Sequence, residues 1–392
     1  MKSLSTRQSV IILSFVMLCT KIQRFPALLA QNFGQSGWIF LLLSFVFDIP
    51  FVLITLRISV LTKGKTIYQA LSQKCGKAAG ILYAFFGALL LVVKMGTPYK
   101  GTHEFFVSAI FDNLNWNWFS IIFVMLIVLV AAGELNRIGR TAEILFLFAV
   151  VGFVGMITLG TSTAVFERLL PLEFFGPLKF FHGFKIFNQW ISDYIILLFF
   201  VGRVKENKYK TAALSAYAIT FIFSTFFVAV FYANYDKLAI MQDVGISAVT
   251  EFSLFSLPLG RIDWILVLFA MSSSVVAVCF LACAAVIGFY EATKIPKKYI
   301  AIILGVICYI LDTKIFTSAA VFVDYYTNYI TYYVLAINYI IMPIIWISLS
   351  ITKNKKNNIF IPYRPHKNSI AELRLKQFNN LCRRTKNDTK IH

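Results

Sequence analysis

Apolar stretches of roughly 18–25 residues recur along this chain, and each is long enough to cross the hydrocarbon core of a bilayer as a helix. Ten are counted, at about 8–31, 36–59, 79–101, 117–133, 140–163, 182–202, 210–232, 262–289, 299–316 and 325–350. None shows the alternation or short even spacing of barrel strands. The pattern predicts an all-α polytopic membrane protein with ten transmembrane helices. Composition points the same way. Of 392 residues, 59% are hydrophobic and only 14% charged, where a soluble domain carries about a quarter.

The formal net charge is +19, and its placement matters more than its size. With ten spans and the N-terminus inside, most of the 37 Lys and Arg fall on inner segments: the start of the chain, 57–77, 137–140, 203–210, 294–298 and everything after 352. The positive-inside rule then predicts both termini in the cytoplasm. A basic surplus so placed serves a membrane face, and nucleic acid is not expected as a partner. The first stretch has the look of a secretory signal, with an apolar core at Val10–Cys19 and "ALLA" before Gln31. Two cations between core and cleavage site, and nine further spans, argue for a first transmembrane helix instead.

The expected organisation is a ten-helix transmembrane domain over 1–352 and a basic cytoplasmic tail over 353–392. The tail reads as a solvated segment held near anionic lipid, or as a docking segment for a partner protein. Two connections, "KGKTIYQALSQKCGK" at 63–77 and "ISAVTEFSLFSLPLG" at 246–260, read as short amphipathic helices on opposite faces. The six cysteines form no CxxC pair, and Cys279 and Cys283, one turn apart, read as small packing residues before a metal or redox pair. His103, His182, His366 and His392 are scattered, and no phosphate-binding glycine loop is present. No enzyme, metal or cofactor is expected.

The stretch "CTKIQRFPALLAQ" at 19–31 places Lys21 and Arg24 inside a span. Ten spans divide into halves of opposite orientation, repeat one about 8–163 and repeat two about 182–350. An inverted repeat of this kind puts its binding site where the first helix of each half is interrupted at mid-membrane. Span 1 is interrupted: Pro26 has no N–H to give Ile22, and Thr20, Lys21, Gln23 and Arg24 cluster beside it. Span 6 carries "FNQWISDY", with Asn188, Gln189, Ser192 and Asp193 in an otherwise apolar run.

Several stretches resemble the B subunits of spore germination receptors, the GerAB-type relatives of amino acid–polyamine–organocation transporters. They are "STRQSVIIL" at the start, "FPALLAQNFGQSGWI" at 25–39, "GKTIYQAL" at 64–71, "GRTAEILF" at 139–146 and "LLPLE" at 169–173. The resemblance implies a LeuT-type fold of five plus five inverted helices, with helices 1 and 6 unwound around a small-molecule site. It also implies a nutrient-sensing role in the spore inner membrane, beside an A-type membrane subunit and a C-type lipoprotein, with a germinant such as an amino acid as ligand. The chain departs from that family at the site: relatives have small or neutral residues where Lys21 and Arg24 stand, and a Pro/Gly-containing stretch where this chain has "NQWISD".

At about 1.5 Å of rise per residue, Lys21 and Asp193 each lie roughly 15 Å below the outer ends of their spans. They can therefore meet, and an unpaired charge at that depth is costly enough to demand a partner or a wet cavity. The candidate ligand site is Thr20, Lys21, Gln23, Arg24, Phe25, Asn188, Gln189, Trp190 and Asp193. A fixed ion pair between helices 1 and 6 is the competing reading. A ligand carboxylate would suit Lys21 or the fork of Arg24. Asp48, near Pro50, reads as a kink and helix-pairing residue or as a proton-coupling one. Glu143 reads as an inner-gate partner of Arg140 or Arg7. Lys94 is expected to snorkel outward. Ser272, Ser273 and Ser274 read as packing residues or as Na⁺ ligands. Three functions follow: a germinant-sensing receptor subunit, a proton-coupled transporter of amino acids or similar solutes, or a scaffold for partner subunits.

Overall fold

The computed structural model describes residues 4–106, 116–170, 175–242, 245–251 and 263–351. The tail at 353–392 and parts of "LLPLE" and of the 246–260 segment lie outside them. The described residues are 90% helical, with no strand and one parallel bridge between Leu4 and Val204. Sixteen α-helices follow in order. They are α1 Thr6–Ile22, α2 Phe25–Phe33, α3 Gly37–Thr62, α4 Ile67–Lys74, α5 Lys77–Phe105, α6 Trp116–Ala131, α7 Leu135–Thr163 and α8 Pro177–Ile191. Then come α9 Tyr194–Phe200, α10 Glu206–Tyr235, α11 Gly245–Glu251, α12 Asp263–Thr293, α13 Lys297–Ile310, α14 Ala319–Tyr325, α15 Thr331–Leu335 and α16 Met342–Ile351.

Burial runs opposite to that of a soluble protein. Lys21, Asp48, Lys94 and Asp193 are buried, while Ile144, Leu147, Val151 and Val154 lie exposed along one stripe of α7. Ile122, Met125 and Leu129 on α6, and Ile302, Val306 and Ile310 on α13, do the same. Apolar stripes at helical spacing that face outward around a polar interior are what lipid as solvent requires. Six helical segments are long and apolar enough to cross a membrane: 25–62, 77–105, 135–163, 207–241, 265–293 and 319–351. The first includes the tight turn at Gly34–Ser36, and α6 is shorter. The stretches predicted at 8–31, 182–202 and 299–316 are helical but interrupted or cut short.

Local sequence explains where the helices start and stop. Ser5 caps α1 and Thr66 caps α4, each in a reciprocal box with the Gln three residues on. The helix predicted within 63–77 is α4, with Ile67, Ala70 and Leu71 turned inward. α11 covers the start of the 246–260 segment, and its Gly245 N–H donates to the Gln23 carbonyl at 2.7 Å. Pro26 sits in the first turn of α2, where its missing N–H costs nothing.

The centre of the structure is α12, whose small residues (Ala277, Ala282, Ala284 and Ala285) let neighbouring backbones approach. It packs chiefly on α5 and α7, and α1 packs on α10 and α12. At Gly152 of α7 an added Cβ would lie 2.5 Å from the Leu266 carbonyl oxygen and 2.6 Å from the Ala270 nitrogen. Gly152→Ala is expected to push α7 from α12 and cost about 1–3 kcal/mol. Gly87→Ala, where an added Cβ meets nothing within 4 Å, is expected to cost nothing. Thermal unfolding of both variants in one detergent checks this.

Candidate functional site

Two helical runs break, and the breaks face each other. The first lies between α1 and α2 at Gln23–Arg24, the second between α8 and α9 at Ser192–Asp193. A break leaves the last carbonyls of the preceding helix without intrahelical donors, and inside a membrane these need partners. Lysine ammoniums supply them at the end of α8. Lys21 Nζ donates to the Trp190 carbonyl at 2.9 Å, to the Met17 carbonyl at 3.0 Å, and to Asp193 Oδ2. Lys94 Nζ donates to the Gln189 carbonyl at 2.7 Å, the Ser192 carbonyl at 3.0 Å and Asp193 Oδ1 at 3.0 Å. Asp193 thus takes one ammonium on each oxygen. The two cations also sit at the negative end of the α8 dipole. This explains how α8 ends without Pro or Gly.

Lys94 corrects the sequence reading: it does not snorkel. Its side chain is 1% exposed and points from α5 into the break. The spacing of Lys94, Thr97, Gly101 and Glu104 on one face of α5 was the available signal. Thr97 accepts from Gln189 Nε2 at 3.3 Å, and Gln189 also donates to the Val93 carbonyl at 3.1 Å.

Around this knot the structure gathers most of the expected residues. Thr20 Oγ1 reaches the Trp190 carbonyl at 3.4 Å. Phe25 stacks on Trp190 with ring centroids 6.4 Å apart, and both meet Phe187. Asn188 Nδ2 donates to Ser192 Oγ at 3.1 Å and Tyr339 OH at 3.2 Å. Asp48 joins through the same two hydroxyls, accepting from Ser192 at 3.3 Å and Tyr339 at 3.2 Å. Tyr339 and Asn338, which the sequence did not single out, stand in a π-helical turn at Ala336–Ile341, a local widening common at functional sites.

Gln23 and Arg24 turn away from the knot. Gln23 Nε2 donates to Ser274 Oγ at 3.0 Å and Thr102 Oγ1 at 3.4 Å, while Arg24 pairs with Glu104 at 3.2 Å. Ser272 and Ser273 donate to carbonyls one turn back in α12. Glu143 lies elsewhere and meets Arg7 at 3.7 Å and Gln8 Nε2 at 3.1 Å. Arg140 is exposed and forms no ion pair among the described residues.

A second buried cluster escaped the sequence reading. Asp312, in the π-helical turn that ends α13, accepts from Ser120 Oγ at 2.6 Å, Lys100 Nζ at 3.0 Å and Tyr99 OH at 3.1 Å. His103 Nδ1 lies 3.0 Å from Oδ2, the oxygen that Ser120 and Tyr99 also reach. Between the two clusters is a cavity of about 20 Å³ lined by Gln23, Arg24, Thr97, Lys100, Glu104 and Trp190. That is room for about one water molecule. Among the described residues no group of His, Cys, Asp and Glu is arranged to hold a metal, and Cys279 and Cys283 are both free thiols.

The geometry and the comparison with known families agree. A family model described as a spore germination protein, a spore permease, matches residues 3–321. The chain belongs to that family. The match spans the stretches that resembled GerAB-type subunits and both breaks. No curated protein gives a significant match. This spore germination protein is therefore an integral membrane protein whose charged residues converge on two broken helices.

Lys94→Met removes the donor to two carbonyls and one carboxylate oxygen. It is expected to destabilise the purified protein by about 3 kcal/mol, in the range for hydrogen bonds to charged groups. A lysine that merely snorkelled would give a change within about 0.5 kcal/mol. Chemical or thermal unfolding in detergent distinguishes the two.

Proposed function

We propose that this chain is the nutrient-sensing membrane subunit of a spore germination receptor, with its ligand site at the two facing breaks. The observation that carries the reading is the buried meeting of Lys21, Lys94 and Asp193 between α1 and α8. Charges at such depth are expensive, and facing interrupted helices are where inverted-repeat membrane proteins bind small molecules. In this reading the chain crosses the membrane ten times as a LeuT-type five-plus-five inverted repeat. Residues 1–352 form the transmembrane domain, and both termini are cytoplasmic. It sits in the spore inner membrane with an A-type membrane subunit and a C-type lipoprotein. No catalytic step, metal or cofactor forms part of it.

The mechanism follows from what the charges already do. With space for about one water between the clusters, a germinant binds only when the helices part. An amino acid then exchanges its own charged groups for the intramolecular ones: its carboxylate takes Lys21 or Arg24, and its ammonium takes Asp193. The aromatic wall of Phe25, Phe187 and Trp190 receives the side chain. Binding shifts the population toward the parted state only to the extent that this state binds the germinant more tightly. Glu143 and Arg7 lie away from the breaks and act as a gate contact in this scheme.

A second reading, a proton-coupled transporter of amino acids or related solutes, is favoured by Asp48. One of its carboxylate oxygens is buried with no hydrogen-bond partner among the described residues, as a proton-accepting group would be.

Spores carrying Lys21→Ala or Asp193→Ala, with protein levels matched by immunoblot, test the receptor reading. At least a tenfold rise in the amino-acid concentration needed for half-maximal germination, or loss of the response, is expected. Normal sensitivity in both variants would remove the site. Proteoliposomes containing this chain alone should not accumulate labelled amino acids, and uptake abolished by Asp48→Asn would favour the transporter.

A further inference from the structure

A cavity enclosed by several helices lies away from the breaks. It holds about 390 Å³ on the other side of Lys94, between α4, α5, α9, α12 and α16. Its walls are apolar, among them Leu71, Leu90, Leu198 and Met342, and it opens past Leu82, Phe86 and Ile344. Those three side chains are 58%, 42% and 54% exposed and apolar, so the mouth faces lipid rather than water. Along α5 the lining runs from Ala79 to Lys94, about 22 Å of helix. Half the hydrocarbon core of a bilayer is about 15 Å thick. The cavity is thus long enough to run the depth of one leaflet.

The shallow end is cationic. Lys74 reaches the Leu349 carbonyl at 2.7 Å, Lys77 is exposed two residues before Ala79, and Lys294 lies 4.9 Å over the ring of Tyr68, itself part of the wall. Arg203 also lines this end but is neutralised by Glu291 at 3.1 Å. With Glu291 taken by Arg203, three lysines remain around an apolar, lipid-facing slot, and together they describe one chemistry. Basic pockets between transmembrane helices bind anionic lipid headgroups, and the apolar slot beneath takes a chain.

We propose that this cavity is a binding site for an anionic phospholipid of the adjoining leaflet. One acyl chain fills the slot toward Lys94, and the phosphate sits among Lys74, Lys77 and Lys294. Because Lys94 lies both in the lining and in the knot on Asp193, the chain end presses on the residue that holds the α8 break. The site stands whether or not the breaks bind a germinant.

Gly87 offers a clean probe. It lines the cavity, and an added Cβ meets nothing within 4 Å, so Gly87→Leu fills the slot without a backbone clash. The experiment is native mass spectrometry and thermal unfolding of the full-length protein in a mild detergent. It is titrated with phosphatidylglycerol, with phosphatidylcholine of the same chains, or with glycerol phosphate. Wild type is expected to retain one phosphatidylglycerol and gain thermal stability, with at least tenfold weaker retention of phosphatidylcholine and no response to glycerol phosphate. Gly87→Leu is expected to lose the retained lipid, and the exposed pair Lys77→Glu with Lys294→Glu to lose the preference for the anionic head. Equal retention of both lipids by wild type, persistence of the bound lipid in Gly87→Leu, or an unchanged preference in the charge-reversed pair would each overturn the proposal. So would no retained lipid at all, which would leave the slot to a partner's helix.

Discussion

Two ammonium groups on one carboxylate hold this structure together at its weakest place. Interrupting a helix inside a bilayer exposes carbonyls that neither water nor lipid can satisfy there. Lys21 and Lys94 resolve this by reaching from α1 and α5 to the end of α8, where they bond three backbone carbonyls as well as Asp193. The interaction needs all three side chains. Without Asp193 two cations stay buried unpaired, and loss of one partner from a buried pair costs about 3–5 kcal/mol. Without either lysine, α8 ends on bare carbonyls. The break and its charges are mutually dependent.

The same logic repeats at Asp312, which gathers Tyr99, Lys100, His103 and Ser120 at the far end of α5. α5 is therefore the polar spine between the two clusters, carrying Lys94, Thr97, Lys100, His103 and Glu104 along its buried face. Arg24, just past the first break, meets Glu104 of that spine. α5 thus touches both breaks, through Lys94 at the end of α8 and through Thr102 and Glu104 at Gln23 and Arg24. The wall of α12, by contrast, is apolar and closely packed, suited to stay still.

How far the sequence revealed this depends on the residue. The all-α membrane class was legible in the apolar stretches, because lipid leaves no other way to satisfy the backbone. Lys21 and Asp193 were legible because charge at mid-span has few innocent explanations, and their equal depths made a contact plausible. Lys94 was misread because depth alone does not tell which way a side chain points. That direction is set by the end of α8, more than ninety residues away in the chain. Asp312 and His103 were missed for a related reason: each lies near the end of its span, where a charge looks ordinary. Only packing of α5 against α6 and the turn after α13 brings them together. The destinations of Gln23 and Arg24 were likewise invisible, since nothing local distinguishes a side chain facing the knot from one facing α12.

The central claim is that the charges of Lys21, Lys94 and Asp193 hold both breaks in place together. Hydrogen–deuterium exchange of the purified protein, comparing wild type with Asp193→Asn, tests it most directly. The substitution keeps the side chain's shape and removes the charge. The account predicts faster exchange confined to the amides of about 20–28 and 188–197, with α6 and α13 unchanged. Unchanged exchange at both breaks, or a uniform acceleration through every helix, would contradict it.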